Sequence, residues 1–454
     1  MSAKSNILHC GIDFGTTNSS LSVSTNNTPK VLPIDPHNSN PFALKSLLYV
    51  NQTHQFSFGS EAINKYLFDL ETLPSIPPQL KITGRQVKVM VPTGSGTMKA
   101  DLVPEIIEVD DSGRGRLIQS LKSVLTSQNF IGTTIFNQFF SLEDLLSLLL
   151  TKIKTNAENL LDHHLDSVVL GRPVRYVGTG ADSVALNRML QIGKRAGFKH
   201  IEFEYEPVGA ALNYGINLNQ DQTILVYDFG GGTLDVCIMK FPESKVISVS
   251  GRGVGGDLIN ARLLESKISP HFGAKALING RVHFPKYFIV ELSTWYRSTL
   301  LKTVKNIETL KDLQIKSNQP RLINNLIELI INDYGFTFFN TLDLVKINLS
   351  TADQTIFSFH HPHLSINQDI SRTDLESAIY HEITASQDCI FEALKSASLQ
   401  PADIDSVILT GGSSQIPVFI NQIKSIFDPS KIIVSDHFTA VAAGLSLRAE
   451  QLFS

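Results

Sequence analysis

A pattern that occurs twice along the chain constrains its fold more than any other feature of the sequence. Each copy has a short apolar strand, an aspartate, a glycine-rich turn that contains threonine, and a second strand. The two copies are Asp13-Phe14-Gly15-Thr16-Thr17 and Asp228-Phe229-Gly230-Gly231-Gly232-Thr233. Their aspartates are separated by almost half of the 454 residues. The repeat therefore predicts two related lobes, residues 1–218 and 219–454, each with its own hairpin.

The two turns have the chemistry of a phosphate site. Glycines leave backbone N–H groups unshielded, and threonine hydroxyls add further donors for phosphate oxygens. The aspartate at each strand end can hold Mg²⁺ through the water shell of the ion. A single turn of this kind also fits an ordinary β-hairpin, but two matched copies and a third glycine pair at 411–412 favour a polyphosphate clamp. The sequence has no GxxxxGK[ST] after a strand and no GxGxxG opening a helix, so the site is of another type.

Composition narrows the class of protein and of partner. Apolar residues make up 42% of the chain and charged residues 18%, which excludes a disordered, self-repelling chain. The 39 basic and 43 acidic residues nearly balance, so we expect neither nucleic acid nor an anionic membrane as a partner. The first ten residues lack the apolar region of a signal peptide, and no apolar run is long enough to span a bilayer. The expected location is therefore the cytoplasm.

Local patterns predict several helices. Leu142–Leu161 has the apolar spacing of a helix with one buried face, and residues 182–196 predict another. Thr373, with Glu376 three residues later, matches a capping box at the start of a further helix.

Five segments, in their order along the chain, resemble the ATPase domain of the heat-shock-70 family of DnaK type. Three of them resemble its phosphate-1, phosphate-2 and adenosine motifs, namely 11–19 (GIDFGTTNS), 227–236 (YDFGGGTLDV) and 409–417 (LTGGSSQIP). The other two are 206–211 (EPVGAA) and 253–257 (GVGGD). A closer likeness, to the short YegD-type proteins of that family, rests on 171–174 (GRPV), 205–207 (YEP) and 440–445 (AVAAGL).

The resemblance implies the actin-like ATPase fold of α/β class. Two lobes, each with a mixed sheet flanked by helices, would enclose a nucleotide cleft that takes ATP or ADP with Mg²⁺. Prolines and glycines interrupt residues 35–140, which predicts an insertion of short strands and loops in lobe I. Residues 263–365 predict a mostly helical insertion in lobe II.

The resemblance also implies roles for individual residues. Asp13 and Asp228 would face Mg²⁺ through its waters, and Thr233 of the phosphate-2 loop would belong to the catalytic set. Glu206 would lie near those waters, although a plain loop carboxylate also fits. Asp235 would orient the attacking water, or else is a solvated hairpin aspartate. The other implied nucleotide-binding positions around the phosphates are Gly15, Thr16, Thr17, Asn18, Gly230, Gly231, Gly232, Gly255, Gly256, Gly411, Gly412 and Ser413.

A lysine near the γ-phosphate completes the catalytic set that the resemblance implies. A cation there offsets charge as the phosphoryl group leaves. Lys122, in the segment 120–125 (SLKSVL), fits this position best. Lys81 is the alternative, and Lys122 also fits a surface position on an amphipathic helix.

The base-binding side departs from the family pattern. Residues 343–350 (DLVKINLS) correspond to the family's Glu-x-x-Lys-Arg-x-x-Ser, with Ile347 in place of the arginine. Gln415 stands where a second arginine is expected. Arginine stacking is worth on the order of 1 kcal/mol or more per base face, so a reduced affinity for adenine is expected. Asp343, Lys346 and Ser350 remain for ribose and base contacts, and Ile347 can still pack against a base.

Three functions are open from the sequence. The first is an Mg-ATP-binding protein that hydrolyses ATP weakly, with water as acceptor, and whose lobe closure is read by an unidentified protein partner. The second is a nucleotide-sensing scaffold without useful turnover, which the missing arginines favour. The third is a small-molecule kinase of the same superfold, although no sugar-binding signature is recognisable. Only ten residues follow Gly444, so we expect no peptide-binding domain of the chaperone type.

Overall fold

The computed structural model describes residues 8–92, 98–109, 111–178, 181–216, 218, 220–435 and 439–454. Some predictions from the sequence involve residues outside this set. They include the start of the second lobe at Asn219 and the lack of a signal-peptide pattern in the first residues.

The elements of the first half of the chain run from His9 to Gly215. The strands are β1 (His9–Phe14), β2 (Asn18–Thr25), β3 (Thr28–Val31), β4 (Leu44–Lys45), β5 (Leu47–Val50), β6 (Phe56–Phe58), β7 (Gln79–Pro92), β8 (Met98–Val109), β9 (Arg116–Gln119), β10 (Gly132–Ile135), β11 (Gln138–Ser141), β12 (Ser167–Arg172) and β13 (His200–Tyr205). The helices are α1 (Gly59–Thr72), α2 (Leu142–Leu161), α3 (Asp182–Arg195) and α4 (Glu206–Gly215).

The elements of the second half run from Gln222 to Phe453. The strands are β14 (Gln222–Phe229), β15 (Leu234–Phe241), β16 (Lys245–Arg252), β17 (Leu277–Ile278), β18 (Val282–His283), β19 (Gln354–His361), β20 (Leu364–Ser371), β21 (Ser406–Thr410) and β22 (Ile432–Val434). The helices are α5 (Gly256–Leu263), α6 (Lys286–Leu292), α7 (Trp295–Ser298), α8 (Val304–Lys316), α9 (Pro320–Ile331), α10 (Gly335–Thr351), α11 (Arg372–Ala378), α12 (Tyr380–Ala397), α13 (Pro417–Ile426) and α14 (Ala440–Phe453).

Two sheets with the same strand order form the centre of the fold. The first has the order β3-β2-β1-β12-β13 and the second β16-β15-β14-β21-β22. In each sheet the first three strands are antiparallel neighbours, and the last two run parallel to the strand that ends in aspartate. The predicted class, α/β with mixed sheets flanked by helices, is confirmed. The shared order also gives the sequence repeat a structural counterpart.

The last helix, α14, packs on the first sheet although it follows the second in sequence. Small residues let it approach closely, since a Cβ at Gly444 would clash with the carbonyl of Gly209 on α4. Ser446 hydrogen-bonds to Ser22 of β2 at 2.9 Å. The sequence division into residues 1–218 and 219–454 therefore places α14 in the second lobe, whereas α14 packs on the first sheet and also shares a hydrophobic core with Ile224 and Val226 of the second sheet.

The two insertions contact each other. In the first half, strands β6-β5-β9 form a small sheet, and β7 and β8 form a separate two-stranded ribbon. The Arg114 guanidinium donates to the Asn332 carbonyl at 3.0 Å, and the Tyr66 hydroxyl donates to the Asp333 carbonyl. Tyr66 and Leu117 belong to the same hydrophobic core as the helices of the second half. These contacts tie the two halves together away from the central sheets.

The local predictions have mixed outcomes. Helix α2 has the predicted bounds, because Ser141 and Asp144 form a capping box at its start. The capping box predicted at Thr373 and Glu376 is wrong, because the hydrogen bonds are made two residues earlier by Ser371 and Asp374. The expectation of short strands over residues 35–140 fails for β7 and β8, which have 14 and 12 residues. Among the described residues, no helix is both long enough and apolar enough to cross a membrane.

Candidate functional site

The two glycine-rich turns face each other across a cleft. The turn between β1 and β2 and the turn between β14 and β15 both line it, and its cavity volume is about 130 Å³. A Cβ on Gly231 would lie 2.6 Å from Thr17 Oγ1, and a Cβ on Gly232 would lie 2.9 Å from Thr16 Oγ1. The turn from the second sheet thus approaches the first so closely that a side chain at either glycine would displace a threonine hydroxyl.

Two further glycine segments hold the second turn in place. The backbone N–H of Gly256 donates to the Gly230 carbonyl at 3.1 Å. The Ser413 hydroxyl, just after β21, donates to the same carbonyl at 3.0 Å. Gly411 has φ +77°, and a Cβ there would clash with the Phe229 carbonyl. The predicted positions at 411–412 line the cleft, whereas Gly255, Gly256 and Ser413 support the turn from behind.

Four charged side chains line the same cleft. Lys122 Nζ donates to Glu206 Oε1 at 2.8 Å, and these side chains are only 7% and 13% exposed. Asp13 and Asp228 end the first strand of each hairpin and also line the cleft. Lys122 lies on a short 3₁₀ helix at Leu121–Val124 and is buried, so it is not a surface lysine on an amphipathic helix.

The carboxylates carry the electrostatic signature of a cation site. Burial, with a smaller contribution from Glu206, raises the pKa of Asp13 to about 7. Burial and the neighbouring carboxylates raise the pKa of Asp228 well above its usual value. Burial lowers the pKa of Lys122, but Glu206, Tyr176 and Asp13 together outweigh it, so the net shift is upward. Three carboxylates thus share one ammonium group, and a divalent cation with phosphate would balance them better.

The arrangement suits a hydrated Mg²⁺ rather than a directly ligated metal. Within the described ranges, no group of three or more His, Cys, Asp or Glu side chains is arranged to hold a metal ion. Mg²⁺ keeps several waters when it is bound through one or two carboxylates and phosphate oxygens. Asp13 and Asp228 would hold such an ion through its waters, and the ion would neutralise phosphate charge.

Asp235 and Lys81 lie outside the cleft. Asp235 is buried on β15, and its carboxylate accepts a hydrogen bond from the Val174 backbone N–H at 2.9 Å. It is not a solvated hairpin residue, and it does not line the cleft, whereas Thr233 does. Lys81 lies on β7, where it pairs with Asp111 at 2.6 Å. Of the two lysines considered from the sequence, the structure brings Lys122 to the cleft and leaves Lys81 outside it.

The predicted base-binding residues Asp343, Lys346, Ile347 and Ser350 lie on α10 beside the second turn, and Gln415 ends a short 3₁₀ helix after β21. Lys346 Nζ pairs with Asp343 Oδ1 at 2.8 Å and approaches the Gly256 carbonyl at 3.4 Å. Ser350 donates to the Lys346 carbonyl within the helix. Ile347 is 60% exposed, and Gln415 is also exposed. An apolar side chain and an amide thus face solvent at the positions where the family pattern has arginines.

Tyr176 is among the side chains of the cleft that the sequence did not predict. It lies in the loop after β12 and lines the cleft near Lys122. Its buried hydroxyl has no hydrogen-bond partner among the described residues. Burial raises the pKa of this hydroxyl to about 12, so it stays a donor at neutral pH. No local pattern marks Tyr176, because only the fold brings its loop to the cleft.

Comparison with known proteins adds an independent observation. The family model described as Hsp70 protein matches residues 116–279 and 340–453, which is more than half of the chain. The chain is 24% identical over 361 residues to a protein named Chaperone protein DnaK from Thermosipho melanesiensis. That alignment covers 76% of this chain and 51% of the relative, so the chain spans about half the length of this curated relative.

Proposed function

This chain belongs to the Hsp70 protein family, and we propose that it binds Mg-ATP in the cleft between its two glycine-rich turns and hydrolyses it weakly. The observation that carries the proposal is the meeting of both turns with Lys122, Glu206, Asp13 and Asp228 in one cleft. The family's actin-like ATPase fold agrees with the two sheets of equal strand order. The closer likeness to YegD-type proteins is part of this proposal and rests on the sequence segments alone.

Different residues of the cleft would bind the phosphates, offset their charge and position the lysine. Backbone N–H groups of both turns and the hydroxyls of Thr16, Thr17 and Thr233 would bind phosphate oxygens. Lys122 would offset charge on the terminal phosphate as it leaves. Glu206 holds that ammonium group in position through the 2.8 Å contact. Bound Mg²⁺ would supply charge neutralisation between Asp13 and Asp228.

Closure of the two lobes on the nucleotide would be the output of binding. Gly231 and Gly232 come from the second sheet, and Thr16 and Thr17 from the first, so a polyphosphate between them would join the lobes. A protein partner that binds the closed form more tightly than the open form would respond to this change.

A nucleotide-sensing scaffold is the second candidate. Asp235 is bound to the Val174 backbone and does not line the cleft, so no second carboxylate of the β14–β15 hairpin is at hand to orient water. The exposed Ile347 and Gln415 weaken base binding further.

Calorimetry with ATP and ADP, run beside a phosphate-release assay, separates the two candidates. We expect Mg-dependent binding of both nucleotides and slow release of phosphate that Lys122→Met abolishes. Binding without phosphate release would support the scaffold, and absence of binding would refute both.

A further inference from the structure

Strands β7 and β8 form an arm that extends away from the rest of the fold. Among the strands that the structure describes, they pair only with each other, in an antiparallel ribbon. Residues 79–86 are all exposed, so solvent reaches both faces of β7 there. At about 3.3 Å per residue, the 14 residues of β7 extend over roughly 45 Å. An isolated two-stranded ribbon is at best marginally stable in water, so a ribbon of this length calls for something that packs against it.

One face of the arm carries its most exposed apolar side chains, with the charged Lys88 and Glu108 interspersed among them. Residues directly opposite each other in the ladder point to the same face, and the register pairs Ile82 with Ile106 and Lys88 with Leu102. Along β8 the side chains alternate, so residues 100, 102, 106 and 108 share that face with their partners on β7. The large apolar side chains of the arm that are 57–69% exposed all lie on this face, namely Leu80, Ile82, Met90, Leu102 and Ile106. Exposed apolar surface of this extent marks an interaction site.

The two edges of the arm have opposite charge. Strand β7 carries Lys81, Arg85 and Lys88 and no acidic residue. Strand β8 carries Asp101, Glu105 and Glu108 beside a single Lys99, and it also contains Pro104. Symmetric pairing of two copies, β7 with β7 or β8 with β8, would place like charges opposite each other, which destabilises a sheet. Pro104 within β8 is a feature that protects an edge from further pairing.

We propose that the arm binds an extended segment of another protein, with alternating acidic and aliphatic residues, which adds to the sheet at the free edge of β7. In the described part of the chain, no backbone hydrogen bond joins β7 to any strand but β8. The added strand would place its aliphatic side chains beside Leu80, Ile82 and Met90, and its acidic side chains on the opposite face, near Lys81 and Arg85. Main-chain bonds would supply affinity, and the side chains would supply specificity.

The ion pair of Lys81 with Asp111 does not block this edge. Its side chains are 50% and 40% exposed, and exposed pairs of this kind contribute little to stability. The arm lies outside the nucleotide cleft, so its binding does not rest on the proposed ATPase function. Failure of one proposal leaves the other standing.

The test uses the full chain and a fluorescent ten-residue peptide that alternates Glu and Val. We expect saturable binding by fluorescence anisotropy that weakens as salt is raised. Lys81→Glu/Arg85→Glu should weaken it at least tenfold, and Ile82→Ser should weaken it severalfold. The same peptide with alternate backbone amides N-methylated should not bind, because it cannot complete the strand ladder. Each variant should keep the wild-type thermal unfolding midpoint.

Four results would overturn the proposal. Equal binding of a Lys-Val peptide, or of the N-methylated peptide, would exclude charge selection or strand addition. Concentration-dependent oligomers in sedimentation that the charge-reversal variant abolishes would show that a second copy covers the arm. Cosedimentation with phosphatidylserine vesicles that Ile82→Ser abolishes would show that the arm binds a membrane.

Discussion

Removal of the Lys122 ammonium group tests the electrostatics of the cleft most sharply. Lys122→Met keeps most of the side-chain volume but leaves Glu206 buried without its partner, beside Asp13 and Asp228. Breaking a buried ion pair by removal of one partner costs about 3–5 kcal/mol. We expect a loss of this size in the free energy of unfolding, somewhat reduced where protonation of the carboxylates relieves the charge.

Turnover should fall together with stability. Loss of one group that stabilises the transition state typically lowers kcat by about 10²–10³-fold. The Lys122→Met/Glu206→Gln variant removes both charges of the pair, so it should recover part of the stability but none of the turnover. Lys81→Met is the matched control, because its ion pair with Asp111 is half-exposed and lies on the arm. That change should cost at most about 1 kcal/mol and leave turnover unaltered.

The measurements are urea denaturation of the protein without nucleotide, and phosphate release at saturating Mg-ATP. The reasoning is refuted if Lys122→Met unfolds within about 0.5 kcal/mol of the wild type, or if Lys81→Met lowers turnover while Lys122→Met does not.

Three further predictions concern other parts of the structure. Burial raises the pKa of Asp235 from 3.8 to about 8, so the ionised side chain opposes folding above the unfolded-state pKa. Asp235→Asn should therefore leave the free energy of unfolding unchanged near pH 3 and raise it increasingly, relative to the wild type, as pH rises from about 4 to 8, by about 1.36 kcal/mol for each pKa unit. Urea denaturation across this pH range measures the difference, and a difference that does not change with pH would contradict the prediction. Gly231→Ala should lower nucleotide affinity at least tenfold in calorimetry, whereas Gly253→Ala, whose added Cβ meets only ordinary contacts, should not; equal affinities would exclude the close approach of the turns. Arg114→Ala removes hydrogen bonds of the Arg114 guanidinium, including the one to the second insertion, so it should lower the free energy of unfolding in urea by about 3 kcal/mol and speed nucleotide release in stopped flow. The control Arg195→Ala breaks an exposed ion pair and should cost at most about 1 kcal/mol. An unchanged release rate in Arg114→Ala would show that these bonds do not restrain the lobes.

Features encoded locally were predictable from the sequence. Each hairpin consists of a strand, a glycine-rich turn and a strand within about twenty residues, so its sequence pattern does not depend on how the rest of the chain folds. The two copies predicted two equivalent sheets, and the common strand order agrees with that prediction. Helix α2 was predictable because its apolar spacing and its capping box at Ser141 act within one segment.

Features that depend on distant contacts were not predictable in the same way. Lys122 and Glu206 lie on elements far apart in sequence, and only the folded chain shows that they form a pair. Tyr176 has no motif of its own. The capping box failed because Ser371 with Asp374 and Thr373 with Glu376 both match the pattern, and hydrogen bonding selects the first. Prolines in β7 and β8 suggested breaks, yet an exposed two-stranded ribbon tolerates them because its edges are free.

A crystal structure of the chain with Mg-ADP would locate the bound nucleotide and its metal ion. We expect the phosphates to lie between residues 15–17 and 230–233, with hydrated Mg²⁺ beside Asp13 and Asp228 and with Lys122 turned towards the site of the terminal phosphate. A nucleotide bound elsewhere, for example in the wide cleft near Trp295 between the two insertions, would contradict it.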